Sequence, residues 1–437
     1  MEKVKSRRLN IVFESEVLDE NPKAQKTKNN NSGDSKKSET SKGHIWEFIA
    51  IATIPLVLVL GNSMLVPILP DMQDKMGISR FQSSLVITLF SITAGLIIPI
   101  SGYLSDRFSR KAVIIPSLII YGAAGILAGF GAIWNSYTIL IISRAVQGLG
   151  AAGTAPIAMA LVGDLYKGGT ESKALGLIEA SNGTGKVVSP IFGSLLALLI
   201  WFAPFFAFPV FCLLALLAVI FMIKEPKKKK EPQSLKAYIG QIGNILKEKG
   251  RWLITSFFAG SLALFILFGV LFYLSQILEE EPYRIDGVKK GLVLAIPLLG
   301  QVVTAYTTGA LIKKNGTLMR WLMNIGLVLM TISLALTIFL SSNLYIFIGL
   351  LTLSGIGTGL LLPCLNTMIT GSVEREQRGM ITSLYNSLRF IGVAFGPPIF
   401  GWLMSISHKA IFITVSSLAL ITLGLVFFLI KPKGQVN

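Results

Sequence analysis

Twelve apolar runs, each long enough to cross a bilayer, limit what this chain can fold into more than any other feature. They fall at about residues 46–70, 83–103, 112–133, 137–162, 174–201, 205–223, 252–274, 288–312, 318–340, 344–372, 380–405 and 410–430. A hydrocarbon core takes roughly 20 helical residues to span. No backbone N–H or C=O is left open to lipid, so runs of this kind fold as helices. The expected fold is all-α, with twelve transmembrane helices.

Composition agrees. Of 437 residues, 52% are apolar and only 14% charged, where a soluble domain carries about 25% charged residues. The net charge of +17 would suit nucleic acid, but its placement argues for a membrane. With both termini cytoplasmic, 31 of the 40 basic residues lie in cytoplasmic segments and 6 in outer loops, leaving Arg144, Lys186 and Arg389 within spans. Such a bias sets orientation, so a multi-pass membrane protein with both termini cytoplasmic is expected, with no nucleic-acid partner. Residues 1–45 read as a basic cytoplasmic tail, disordered from about 22 to 43, with no signal peptide. The run 227–230 reads as a lipid-surface anchor within a basic cytoplasmic linker, 224–251. Residues 431–437 form a short cytoplasmic tail.

Enzyme chemistry finds no support. Cys212 and Cys364 lack metal-ligand spacing, and His44 and His408 stand far apart. No phosphate-binding GxxxxGK[ST] loop occurs. Neither a metal nor a cofactor is expected.

The two halves of the chain are related. A shift of 207 residues places Gly102 on Gly309, Gly148 on Gly355, Gly150 on Gly357, Pro156 on Pro363, Gly185 on Gly392 and Pro190 on Pro397. This is a parallel six-helix repeat, 46–223 and 252–430, as secondary transporters use, with a binding site at midplane between the halves.

The fifth run is the most polar. Glu179, Asn182 and Lys186 fall within about 60° of one another on a helix. Gly185, Ser189 and Gly193 form a small-residue row beside them, a spacing that lets helices approach closely. The repeat sets Asn386 on Glu179 and Arg389 on Asn182, so both halves offer polar groups at matching depth. Asp71 and Asp164, at span ends, read as solvated charges.

Several motifs resemble those of the major facilitator superfamily. Gly102-Tyr-Leu-Ser-Asp106-Arg107-Phe-Ser-Arg110-Lys111 is similar to its GxLxDRxGRK signature, with Ser109 in place of Gly. Physically it joins one acid and three bases at a helix junction, a latch that breaks when helices separate. Arg144, Gln147, Gly148 and Gly150-Ala-Ala resemble the RxxQGxGAA element, whose Arg the family associates with proton transfer. Gly176, Gly185, Ser189, Pro190 and Gly193 resemble the antiporter motif G(x8)GxxxGPxxGG, with serine at Ser189 and Ser194. The sequence 61–70, GNSMLVPILP, is similar to the first helix of twelve-span drug:proton antiporters.

The resemblance implies proton-coupled efflux of a small organic molecule, powered by the proton gradient, by a monomer. Glu179 is the acid well inside the membrane and becomes mobile between faces when neutral, which makes it the candidate proton carrier beside Arg144. Lys186, Asn182, Asn386 and Arg389 are the candidate cavity residues. Three bases against one acid favour an anionic or phenolic guest, such as a siderophore. The alternatives are a proton-coupled importer and a non-transporting receptor or lipid-handling protein.

Overall fold

The computed structural model describes residues 33–166, 169–225, 234–312, 315–372 and 375–431; the side chains of 33–45, 169–173, 179, 235 and 375–376 lie outside the description. Ile45–Asn437 forms one compact unit and Met1–His44 a separate one. Residues 22–32, the basic run 227–230, Lys167 and 432–437 are thus outside the described residues. Residues 33–43, expected to be disordered, are helical; Lys, Glu and Ser there are tolerable helix formers.

The regular structure is helical. The chain runs through α1 (Gly33–Ser63), a 3₁₀ turn at Val66–Ile68, α2 (Leu69–Met76), α3 (Arg80–Arg107), α4 (Arg110–Ile133), α5 (Tyr137–Ala152), α6 (Ala155–Leu165) and α7 (Gly169–Ala197). It continues through α8 (Ala203–Met222), α9 (Leu235–Ile277), α10 (Gly287–Ile312), α11 (Gly316–Leu340), α12 (Leu344–Gly371), α13 (Arg375–Ile406) and α14 (His408–Leu429).

Among the described residues, 11 of the twelve expected spans are long and apolar enough to cross a membrane. The exception is α7. With 29 residues it reaches about 44 Å at 1.5 Å per residue, but Asn182, Lys186 and their neighbours dilute its apolar character.

Two spans are broken where proline dictates. The first stops at Ser63, and Pro67 and Pro70 then open the 3₁₀ turn and α2. The fourth breaks at Gly153–Thr154, with Pro156 in the first turn of α6. Proline lacks the N–H that a helix interior needs but suits a first turn. A Cβ on Gly153 would lie 1.9 Å from Ser117 Oγ, so the break also brings α4 close. The linker differs from a plain loop: 235–249 is helical and turns into the seventh span at Gly250, whose φ of 60° and ψ of −138° are non-helical.

The 207-residue shift carries helices onto helices. It sets α3 on α10, α4 on α11, α7 on α13 and α8 on α14, within a few residues at each end. Contacts follow the same rule. α4 packs on α5 and α8 as α11 packs on α12 and α14. Between the halves, α3 meets α13 and α10 meets α7, two interfaces that the shift exchanges. Thr88 Oγ1 donates to Ala394 O at 2.7 Å and Ser387 Oγ to Gly95 O at 2.5 Å across the first. Across the second, Cβ atoms on Gly183 and Gly291 would meet Val302 Cγ1 at 2.7 Å and Pro190 O at 2.7 Å. Farther along, at Gly176 and Gly309, a Cβ would meet nothing within 4 Å. Thus α7 and α10 are tight at the end carrying the α9–α10 loop and looser at the other.

Candidate functional site

The polar stripes of α7 and α13 face the interior. On α7, Val188 and Leu195 are exposed and so mark the lipid side; at 100° per residue Asn182 and Lys186 lie on the opposite face. The small-residue row faces α1. Ser181 Oγ donates to Ala52 O at 2.7 Å, a Cβ on Gly185 would meet Leu56 Cδ1 at 2.8 Å, and one on Gly193 would meet Met64 O at 2.1 Å. Ser189 turns its hydroxyl back onto Gly185 O, so its extra atom does not obstruct the seam. The backbone of Glu179 lies on the stripe, but its side chain is outside the described residues.

On α13, Phe395 and Trp402 are exposed, and Asn386 and Arg389 turn away from them. Arg389 Nη1 donates to Asn386 Oδ1 at 3.2 Å, and the guanidinium sits 5.4 Å from the Tyr385 ring centroid. Arg389 Nε, Asn182 Oδ1 and Tyr385 Oη are buried with no hydrogen-bond partner among the described residues. Buried polar atoms without partners are rare and call for a ligand or water.

Arg144 is elsewhere, at the meeting of α1, α3 and α5. It is fully buried. Nε donates to Val86 O at 2.9 Å, Nη2 to Gly61 O at 3.0 Å and to Asn62 Oδ1 at 3.1 Å, and Nη1 to Gln147 Oε1. The guanidinium also lies over Phe90, 4.4 Å from its centroid. Every partner described is neutral. Its neighbour Gly148 is obligatory: a Cβ there would lie 2.3 Å from Phe90 O, so α5 and α3 touch backbone to backbone.

The motif around Asp106 forms a junction within the first half. Arg110 pairs with Asp106 at 2.7 Å and with Asp164 at 2.7 Å, and its Nη1 donates to Ser105 Oγ at 2.7 Å. Asp164 is therefore an ion-pair member rather than a merely solvated end charge. Arg107 reaches Tyr103 Oη at 3.1 Å. Ser109, where the signature has Gly, caps α4 by accepting from Ala112 N at 3.1 Å. The Glu225 carboxylate accepts from Arg110 N at 2.5 Å and Lys111 N at 3.0 Å, satisfying two N–H groups that a helix start leaves open. Lys111 Nζ donates to Ile223 O at 2.7 Å. Gly102 is the motif's contact with the other half, since a Cβ there would lie 2.9 Å from Ser383 Oγ. The ion pairs described for Arg110 join α3, α4 and α6, all within the first half.

Sequence reasoning missed two groups. Tyr385 shares a face with Arg389, four residues on, and that spacing was available. The second lies at the α9–α10 end: Lys290 is buried, ion-paired with Glu279, and 4.0 Å from Asp71. Asp71 thus faces a buried cation of the other half, where the sequence suggested only a solvated charge. No spacing rule links the three.

Comparison with known proteins gives a consistent setting. The family model described as Major Facilitator Superfamily matches residues 51–319 and 273–437. The chain is 44% identical over 389 residues to the bacillibactin exporter of Bacillus subtilis (strain 168), covering 88% of this chain and 96% of that protein. It is 27% identical to multidrug resistance protein 1 of the same organism, over 80% of this chain and 87% of that one. A crystal structure of the human organic anion transporter MFSD10 (TETRAN) shares the fold. Its TM-score is 0.69 at 20% identity, covering 87% of this chain and 99% of that one.

Proposed function

The chain belongs to the major facilitator superfamily, and we propose that it exports a small anionic metabolite of the siderophore kind from the cytoplasm in exchange for protons. The observation that carries this reading is the interior face of α13. There Arg389 spends one bond on Asn386 and keeps a buried Nε without a described partner. A guanidinium in that state is a ready receptor for carboxylate or phenolate oxygens. Lys186 and Asn182 on the matching face of α7 add donors from the other half. The similarity to a bacillibactin exporter supports the same substrate class.

The basic bias of the segments at the Asp106 end supports a cytoplasmic setting for that end, in a bacterial plasma membrane, with Lys290 outside. The repeat gives two bundles, 46–223 and 252–430, that rock about a midplane site. Glu179 is the proton carrier. Arg144 secures α1, α3 and α5 to one another, and the Asp106–Arg110 junction stiffens the inner end. The working unit is a monomer.

The test uses everted vesicles under an imposed pH gradient, with matched panels of catechol-bearing anions and lipophilic cations. Gradient-driven anion uptake is expected for the native chain, lost in Glu179→Gln and reduced at least tenfold in Arg389→Ala. Cation uptake that survives Lys186→Ala and Arg389→Ala removes the anion assignment while leaving antiport intact.

A further inference from the structure

The outer end carries charges that the export cycle above does not use. Lys290, at the start of α10, is only 1% exposed. It pairs with Glu279, which follows α9 in the same half, and lies 4.0 Å from Asp71 of α2 in the other half. Beside it, Arg80 of α3 pairs with Glu280, again across the halves. The backbones are tight at this level. A Cβ on Gly291 would meet Ser194 Oγ at 2.5 Å and Pro190 O at 2.7 Å on α7, and Ser275 Oγ donates to Val66 O at 2.8 Å. This is the closed outer gate, fastened by Lys290.

The surrounding charges do not balance. α2 supplies Asp71 and Asp74, with Lys75 beyond them, and the approach to α10 adds Asp286; all act on the Asp71 carboxyl together with Lys290. Glu280 is engaged by Arg80 and Glu281 by Arg284, while Lys289 precedes the buried lysine. His408 of α14 is occupied with Tyr273 Oη at 2.9 Å. From Pro190 to Phe202, α7 and the following loop hold no charged residue. Closing the gate therefore gathers Asp71 from one half and Glu279 from the other around one buried ammonium, leaving one negative charge in excess.

We infer that the outer gate is proton-linked: closing it takes up a proton shared by Asp71 and Glu279 beside Lys290, so external acid favours the outward-closed state. The inference rests on the export reading for which end faces outward. In the open gate both carboxyls face water and titrate normally; in the closed gate, crowding and burial favour the neutral form. Burial holds the Glu279 carboxyl above the usual carboxylate range even with Lys290 beside it. Because the closed state binds the proton more tightly, lowering pH shifts the balance towards closure. The window lies above the ordinary carboxylate range and ends at the raised closed-state value. In an antiporter this speeds the return leg, after the substrate has left and as protons arrive from outside.

The test is a spin-label distance titration from pH 8 to 5 in nanodiscs, without substrate or gradient, on full-length Leu199→Cys/Ser342→Cys. Both positions are exposed on outer loops of opposite halves, and the native Cys212 and Cys364 are buried. The closed-to-open ratio is expected to rise with falling pH, by up to about tenfold per unit for one linked proton. In Glu279→Gln and in Asp71→Asn, either of which balances Lys290 one to one, the rise should fall below about twofold per unit. A native ratio indifferent to pH, or a slope kept by both outer variants, overturns the inference. If the vesicle assay shows no proton-driven export, the export reading fails separately, because the distance titration needs no transport.

Discussion

Replacing Arg144 by lysine separates a structural tie from a proton relay. The guanidinium spans acceptors on separate helices: Gly61 O and Asn62 Oδ1 on α1, Val86 O on α3 and Gln147 Oε1 on α5. A lysine carries its charge on one nitrogen and cannot reach both the α1 and the α3 carbonyls. Two charge-assisted bonds should be lost, each worth about 1.5–3 kcal/mol, or about 3–6 kcal/mol together. The contact over Phe90 adds roughly 2 kcal/mol at a desolvated site. Denaturant unfolding in mixed micelles should therefore show Arg144→Lys destabilised by about 3 kcal/mol or more, and Arg144→Met by at least as much. In vesicles, whatever transport remains should keep the native pH profile. A lysine variant within about 1 kcal/mol of the native chain but with a displaced pH profile would refute the tie.

Other perturbations read the packing and the inner junction. Gly193→Val should abolish transport and lower folded yield, since even a Cβ there would lie 2.1 Å from Met64 O, whereas Gly176→Ala, with nothing within 4 Å, should transport normally; vesicle uptake and gel-filtration yield report both. Gly148→Ala forces a Cβ to 2.3 Å from Phe90 O and should cost more stability than any single hydrogen bond of the α3–α5 seam. Glu225→Gln weakens the cap on α4 and should cost about 0.5–2 kcal/mol, the usual worth of a helix cap. Asp164→Asn, at a side chain 38% exposed, should cost less than about 1 kcal/mol. Removal of the largely buried Arg110, as Arg110→Ala, should cost more by the same unfolding measurement, about 1.5–3 kcal/mol, because its bonds to Ser105, Asp106 and Asp164 go together.

Much of the architecture was legible because lipid makes the code simple. The 207-residue shift predicted helices that map onto one another, and α3–α13 and α7–α10 proved to be exchanged by it. The small-residue row of α7 predicted close approach, which Gly193 against Met64 demonstrates. Apolarity failed where a polar stripe runs along a helix: α7 reads as a span by position and length, and its stripe takes it below the apolar standard of the other 11 among the described residues. Contacts between residues far apart in the chain were not legible. Glu225 reaches Arg110 N over 115 residues, and no local pattern says that a carboxylate after α8 caps α4. Lys290 likewise looked like one more outer-loop base until α2 was seen to bring Asp71 to it.

Ser189 and Ser194 of α7 show how a departure from a motif is accommodated. A serine in place of a packing glycine adds volume and a polar atom, and each must be absorbed. Ser189 absorbs both by folding its hydroxyl onto Gly185 O, a back-bond that helices tolerate with slight bending. Ser194 absorbs the volume because Gly291 stands opposite, but its Oγ is buried without a partner among the described residues. An unsatisfied buried hydroxyl costs about 1–3 kcal/mol, and this one sits at the α7–α10 crossing that must part when the outer end opens. Water would satisfy it there, so Ser194 favours opening. Ser194→Gly removes that bias: the closed-to-open ratio in the spin-label measurement should rise about fivefold or more, the equivalent of about 1 kcal/mol, with the pH slope unchanged. A closed fraction that falls instead would mean the hydroxyl is satisfied in the closed state, and the tight crossing alone would then set the balance.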